Sequence, residues 1–215
     1  MRYLTVLILV SLACGLSACN TVYYNAMEKA GIHKRDIMVS RVKEARDSQN
    51  RAKEQFLTAL DQFRSVVNFQ GGNLEKEYNK LSATLERTEQ GAKAVHDRIR
   101  AVENVSEALF REWRAELKQY SNDALRRSSQ EQYNRTQRKY AELMHAMKRA
   151  ESRLEPALVP LRDQVLFMKH NLNARAIAGL SGEVGTVQAN VHTLVRDIEI
   201  AVQQANAFIS TLQAQ

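Results

Sequence analysis

The sequence predicts an all-α fold: an elongated antiparallel four-helix bundle with coiled-coil-like seams and a protruding two-helix tip. Three observations point there. Apolar residues recur at spacings of three and four over most of the 215 residues, which is the mark of one helical face. Only 8 glycines and 2 prolines are present, few turn residues for a β-rich chain. The 44% hydrophobic and 26% charged content is a globular balance and excludes disorder.

The first residues read as a targeting segment that precedes the bundle. Arg2 supplies a positive n-region, and Tyr3 opens an apolar stretch that continues through Leu12 to Leu16. A membrane-crossing helix needs about 20 apolar residues, so this shorter stretch fits a signal peptide. Leu16-Ser17-Ala18-Cys19 then matches the lipobox of bacterial lipoproteins, in which cleavage before the cysteine leaves it acylated as the first residue. Ser11-Leu12-Ala13-Cys14 fits less well because it truncates the apolar stretch. The expected division is a signal peptide over residues 1–18, an anchor linker over 19–35 and a helical body over 36–215.

Cys14 and Cys19 are the two cysteines, so a processed body has none for a disulfide or a thiolate site. In an oxidising periplasm its fold must be held by packing alone. Lipoproteins kept at the inner membrane commonly carry Asp after the cysteine; Asn20 stands here instead. The expected location is therefore the outer membrane, facing the periplasm. Removing residues 1–18 subtracts only Arg2, taking the formal charge from +7 to +6. Such a chain suits anionic lipid, an acidic polymer or nucleic acid, and nucleic acid is scarce in the periplasm.

Each element follows from its pattern. Tyr23 and Tyr24 lie in the linker, where a membrane-interface position and packing on the first helix are both open. The first helix is expected over residues 36–69, with Val39, Val42, Ala45, Ala52, Phe56, Leu60, Phe63 and Val67 on one face. Gly71-Gly72 stops it, and Asn73 can cap the next helix. That second helix, residues 74–120, carries a heptad seam from Leu74 to Tyr120, interrupted by Thr88, Ser106 and Glu116. Ser121-Asn122-Asp123 marks a break, and Ser128 with Glu131 has the spacing of a capping box for a third helix over 129–177. Its apolar face includes Tyr140, Met144, Met147, Leu154, Leu158, Leu161, Val165, Met168 and Leu172, and Pro156 and Pro160 predict a bend or a fresh start. Glycines 179, 182 and 185 form a corner before a fourth helix from Leu180 to Leu212. The middle pair reaches roughly 70 Å at about 1.5 Å per residue, the outer pair roughly 50 Å. Residues 107–145 are therefore expected to project as a tip, with the anchor leaving on the tip's side.

That tip is basic. Within 111–139, Arg111, Arg114, Lys118, Arg126, Arg127, Arg135, Arg138 and Lys139 stand against Glu112, Glu116, Asp123 and Glu131, giving +4. The plain account is a solvated face laced with ion pairs; the functional one is docking on an anionic surface through Arg126, Arg127, Arg135 and Arg138. Catalysis has little support. His33, His96, His145, His170 and His192 are scattered without an i,i+3 or i,i+4 pair, so no helix-borne metal site is expected. No phosphate-binding Gly-x-x-x-x-Gly-Lys loop occurs. Trp113 and Tyr120 fall on the seam, where core packing explains them better than a ligand does. The expectation is a non-enzyme without metal or cofactor. Its partners would be the membrane through its lipid, and an envelope protein, anionic lipid or cell-wall polymer. The alternative is a cytoplasmic coiled-coil protein bound to nucleic-acid phosphates.

Several segments carry a resemblance. Ala30-Gly31-Ile32-His33-Lys34-Arg35-Asp36-Ile37, Arg41 to Asp47, Glu107 to Trp113 and Asp163 to Ile177 are similar to a proteobacterial family known only as a domain of unknown function. Its members are described as lipoproteins or hypothetical proteins, and some carry a DNA-repair ATPase label. The resemblance covers nearly all of the processed chain and implies no active-site residues.

Overall fold

In the computed structural model, residues 24, 27, 31–69, 71, 73–171, 177 and 179–214 are described. Among them the secondary structure is helical, with no strand. The elements are α1 (Lys34–Val67), α2 (Leu74–Glu116), α3 (Asp123–Glu151), α4 (Leu154–His170), a 3-10 turn (Ser181–Glu183) and α5 (Val184–Gln213). The all-α expectation holds, and the four helical runs pack against one another.

Boundaries follow local chemistry. Gly31 takes φ +79° while the Ile32 amide donates to the Met27 carbonyl at 3.0 Å, the glycine-ended pattern that closes a helical turn just before α1. Asn73 caps α2 as expected, its Oδ1 accepting from the Lys76 amide at 3.0 Å. Several boundaries differ: α4 ends at His170 instead of 177, the expected fourth helix from Leu180 passes through a 3-10 turn over Ser181–Glu183 before α5, and three others have a local cause. The heptad run to Tyr120 outlasts α2, which ends at Glu116. The expected third helix begins at Asp123, ahead of Ser128, because the Asn122 side chain accepts from the amides of Ala124 (2.9 Å) and Leu125 (3.2 Å) and caps it there. It then breaks at Ser152–Arg153 into α3 and α4. The break falls just ahead of Pro156, whose missing amide is tolerated in the first turn of α4. The last member of the expected third-helix stripe, Leu172, lies outside the described residues.

Two compact units divide the chain: Met1–Arg41 with Arg100–Arg135, and Val42–Ile99 with Thr136–Gln215. In the second unit residue numbers fall along one helix as they rise along its neighbour. Glu44 pairs with Arg98 at 2.6 Å, while the Thr88 hydroxyl approaches the Gln55 carbonyl at 3.5 Å. Glu89 meets Arg162 at 2.8 Å, Pro156 accepts from Asn190 at 3.0 Å, and Arg46 donates to Asn206 at 3.0 Å. α1 thus touches α2 and α5, α2 touches α4, and α4 touches α5. The stripes close on one core in which Phe56, Phe63, Leu81, Ile99, Leu161, Leu194 and Phe208 are sealed from solvent. Thr88 and Ser106, which interrupt the α2 seam, are buried with their hydroxyls bonded to the carbonyls of Thr84 (2.8 Å) and Glu103 (2.7 Å). Local back-bonding of this kind removes the cost of hiding a hydroxyl.

Arg162 joins α4 to α2 through Glu89, and it also reaches Glu155 at 3.0 Å. These bonds, Glu89 first, raise its pKa above the usual arginine range. At nearly half exposure the pair contributes little to stability, about 0–1 kcal/mol.

Candidate functional site

The first unit holds residues 107–135 of the expected 107–145 tip; the remainder, Arg138 among it, belongs to the second unit. The core of the first unit is a small aromatic cluster in which Phe110 and Trp113 of α2 meet the ring of Tyr133 of α3 edge-on, at 5.7 and 5.6 Å between centroids. The indole Nε1 of Trp113 donates to the Ser129 hydroxyl at 2.9 Å. Trp113 therefore packs, as its seam position implied. Tyr120 does not. The seam expectation fails there because α2 has already unwound: the amides of Lys118 and Gln119 bond three residues back, to Ala115 (3.2 Å) and Glu116 (2.8 Å). This tighter turn carries Tyr120 out of the seam to 39% exposure.

The start of α1 belongs to the same unit. Lys34, itself buried, holds Glu112 of α2 at 2.9 Å. The first turn of α1 thus sits level with the last turn of α2, beside the α2–α3 turn. Tyr24 is also buried, which favours packing over an interfacial position for that tyrosine. Cys19, the expected lipid carrier, lies outside the described residues.

The four candidate arginines are all exposed, but the helix does not gather them on one strip. At about 100° per residue, Arg127 and Arg138 fall within roughly 20° of each other, with Arg126 about 100° to one side and Arg135 about 80° to the other. Arg126 is engaged by Asp123 at 2.6 Å, and Arg135 approaches Glu131 at 4.0 Å. Arg127 and Arg138 have no ion pair among the described residues and face directly away from the core stripe. The paired half fits a solvated, ion-paired face; Arg127 and Arg138 are the cations presented outward.

Sequence reasoning missed Leu125. It continues the inward stripe of Ser129 and Thr136, yet it is 57% exposed, since α2 ends before it can cover that position. The signal was available: a leucine two residues past the Ser-Asn-Asp break stands at the very end of a hairpin.

Elsewhere little converges. A shallow depression lined by Asn73, Glu75, Lys76, Asn79, Lys80 and Ala83 is built from the start of α2 alone and has no facing wall. Among the described residues no three His, Cys, Asp or Glu side chains gather as a metal site requires, and no helix is long and apolar enough to cross a membrane. His96 instead meets Glu151 across α2 and α3 at 2.5 Å. No curated protein matches the sequence. A model of the family described as Protein of unknown function (DUF2959) matches residues 23–212, and the chain belongs to that family.

Proposed function

We propose that this chain is a lipid-anchored helical module of the bacterial envelope. It is processed before Cys19, held in the outer membrane facing the periplasm, and acts by holding or bridging envelope components, without catalysis. The observation that carries this reading is the placement of Leu16-Ser17-Ala18-Cys19, directly after an apolar leader and just before the family-matched region that opens at residue 23. The Lys34–Glu112 pair supports it by tying the anchor-proximal end of α1 to the α2–α3 hairpin. A protein partner, anionic lipid or cell-wall polymer would be met by that hairpin.

The test is fractionation of cells expressing the tagged protein and its Cys19→Ala variant, with mass analysis of the N-terminus. The reading expects acylated Cys19 in the outer-membrane fraction, and loss of acylation and membrane retention in the variant. A cytoplasmic chain with residues 1–18 intact overturns it and brings forward binding of nucleic-acid phosphates by the basic stretch.

A further inference from the structure

We propose that the α2–α3 turn is a bilayer-contacting apex, with Leu125 and Tyr120 entering the headgroup region of an anionic phospholipid membrane while Lys118, Arg126 and Arg127 lie against lipid phosphates. The inference rests on the lipid-anchor reading for the membrane's proximity, but its own support is geometric.

Four observations combine. First, the two exposed large apolar side chains of this unit's hairpin end, Tyr120 and Leu125, flank the same short turn. A leucine more than half exposed at a helix start is left there by the early end of α2, since the inward stripe it extends is covered from Ser129 onward. Second, Lys118 and Arg127 are exposed without an ion pair among the described residues, while Arg126, also exposed, exchanges its solvent-facing Asp123 partner at 2.6 Å for a phosphate on docking. Third, the turn is positive: over residues 116–127 Lys118, Arg126 and Arg127 stand against Glu116 and Asp123, a net of +1 within a stretch, 111–139, that totals +4. An apolar point ringed by cations complements an anionic headgroup layer, which offers phosphates outside and acyl chains beneath. A folded protein partner would be expected to present a matching pocket and acidic rim, for which nothing here argues.

Fourth, the reach is right. Lys34 sits level with Glu112, about 6 Å along the axis from the last residue of α2. Cys19 lies fifteen positions before Lys34, a chain of at most roughly 50 Å when extended. A lipid on Cys19 therefore keeps the end of α2 within roughly 60 Å of the bilayer, and a modest intrinsic affinity suffices when anchor and apex act on one surface.

The experiment places a single indole at the apex of the full chain. Leu125→Trp is made in a Trp113→Phe background, purified from membranes, and reconstituted into vesicles of phosphatidylcholine, alone or with an equal part of phosphatidylglycerol. Brominated acyl chains serve as the quencher. The expected result is a blue-shifted, bromine-quenched indole in phosphatidylglycerol vesicles, at least several-fold more quenched than in phosphatidylcholine alone. Adding Arg126→Ser and Arg127→Ser removes most of that quenching, and raising salt weakens it. A control indole from Asn134→Trp, on the outward face of α3, stays in water throughout. The proposal is overturned if the apex indole matches the control, or if its quenching ignores phosphatidylglycerol and the two arginines. Mass analysis of the same preparation reports acylation of Cys19 separately, so an unacylated chain whose apex still enters the bilayer sinks the anchor reading and leaves this one standing.

Discussion

Arg153 Nε lies 3.3 Å from Asp197 Oδ2, and the aspartate it meets is 1% exposed. Arg149 brings a second guanidinium to the other oxygen at 3.2 Å, close enough for an ion pair but too poorly directed to count as a hydrogen bond. Arg153 stands in the break between α3 and α4 and Arg149 in the last turn of α3, so one buried charge on α5 ties down both sides of the bend. Removing a partner from a buried charge costs about 3–5 kcal/mol. Here the arginines are about half exposed and solvent screens them, which lowers the expectation for Arg153→Ala to about 1–2 kcal/mol. Asp197→Leu, which replaces the charge with a side chain of similar size, should be neutral or stabilising. Urea unfolding midpoints decide between them: equal losses in both variants would contradict this account.

Gln49 on α1 is fully buried, and neither of its amide atoms has a hydrogen-bond partner among the described residues. Hiding an unmatched amide costs about 1–3 kcal/mol on mutational scales. Gln49→Leu should therefore raise stability by about 1 kcal/mol, since it keeps most of the volume and removes the polar atoms. Chemical denaturation measures it. A loss of stability would mean that Gln49 makes a polar contact essential to the register of α1.

These two side chains mark how much was legible in the sequence. The stripes were: Val187, Val191, Leu194, Ile198, Ala201, Ala205, Phe208 and Leu212 are all buried, in the threes and fours their spacing gave. Gln49 sits inside the seven-residue step from Ala45 to Ala52, and Asp197 stands three after Leu194, so both occupy core positions by period. A pattern built only from apolar residues passes over polar ones that share the face. Helix ends were less legible, because Asn122 outcompetes Ser128 as a cap through a side-chain geometry that residue spacing does not encode. As for the candidate site, the arginines could be named but not their pairing. Asp123 and Glu131 engage two of the four through local i,i+3 and i,i+4 contacts, and the exposed apex beside them depends on where α2 stops.

The aromatic cluster gives a graded expectation. Tyr133 is 5% exposed and packs at near right angles against two rings, so Tyr133→Ala should cost about 3–4 kcal/mol, the usual loss for emptying a large buried aromatic site. Ser129→Ala takes only the hydrogen-bond acceptor from the Trp113 indole, a loss of about 1 kcal/mol. Thermal unfolding followed by near-ultraviolet circular dichroism reads both. The ordering is the claim: a Ser129→Ala loss as large as that of Tyr133→Ala would mean the hydrogen bond, not ring packing, holds this unit.

Gly91 lies in mid-helix on α2, where alanine is better than glycine by about 1 kcal/mol. A Cβ there would overlap Gln55 Oε1 of α1, and the three nearest atoms it would meet all belong to that one side chain. Gln55 Oε1 is buried without a hydrogen-bond partner, so turning the amide aside forfeits no bond and costs only a strained or altered rotamer, about 0.5–1.5 kcal/mol. The two terms nearly cancel, and Gly91→Ala alone should leave stability within about 0.5 kcal/mol of the parent. In a Gln55→Ala background the overlap is gone, and the same change should recover close to its full helical gain of about 1 kcal/mol. A double-mutant cycle in urea measures the difference, which should be favourable and about 0.5–1 kcal/mol. If Gly91→Ala destabilises by more than about 2 kcal/mol in both backgrounds, the glycine is instead required by the approach of the two helix backbones, an overpacking cost that no rotamer of Gln55 relieves.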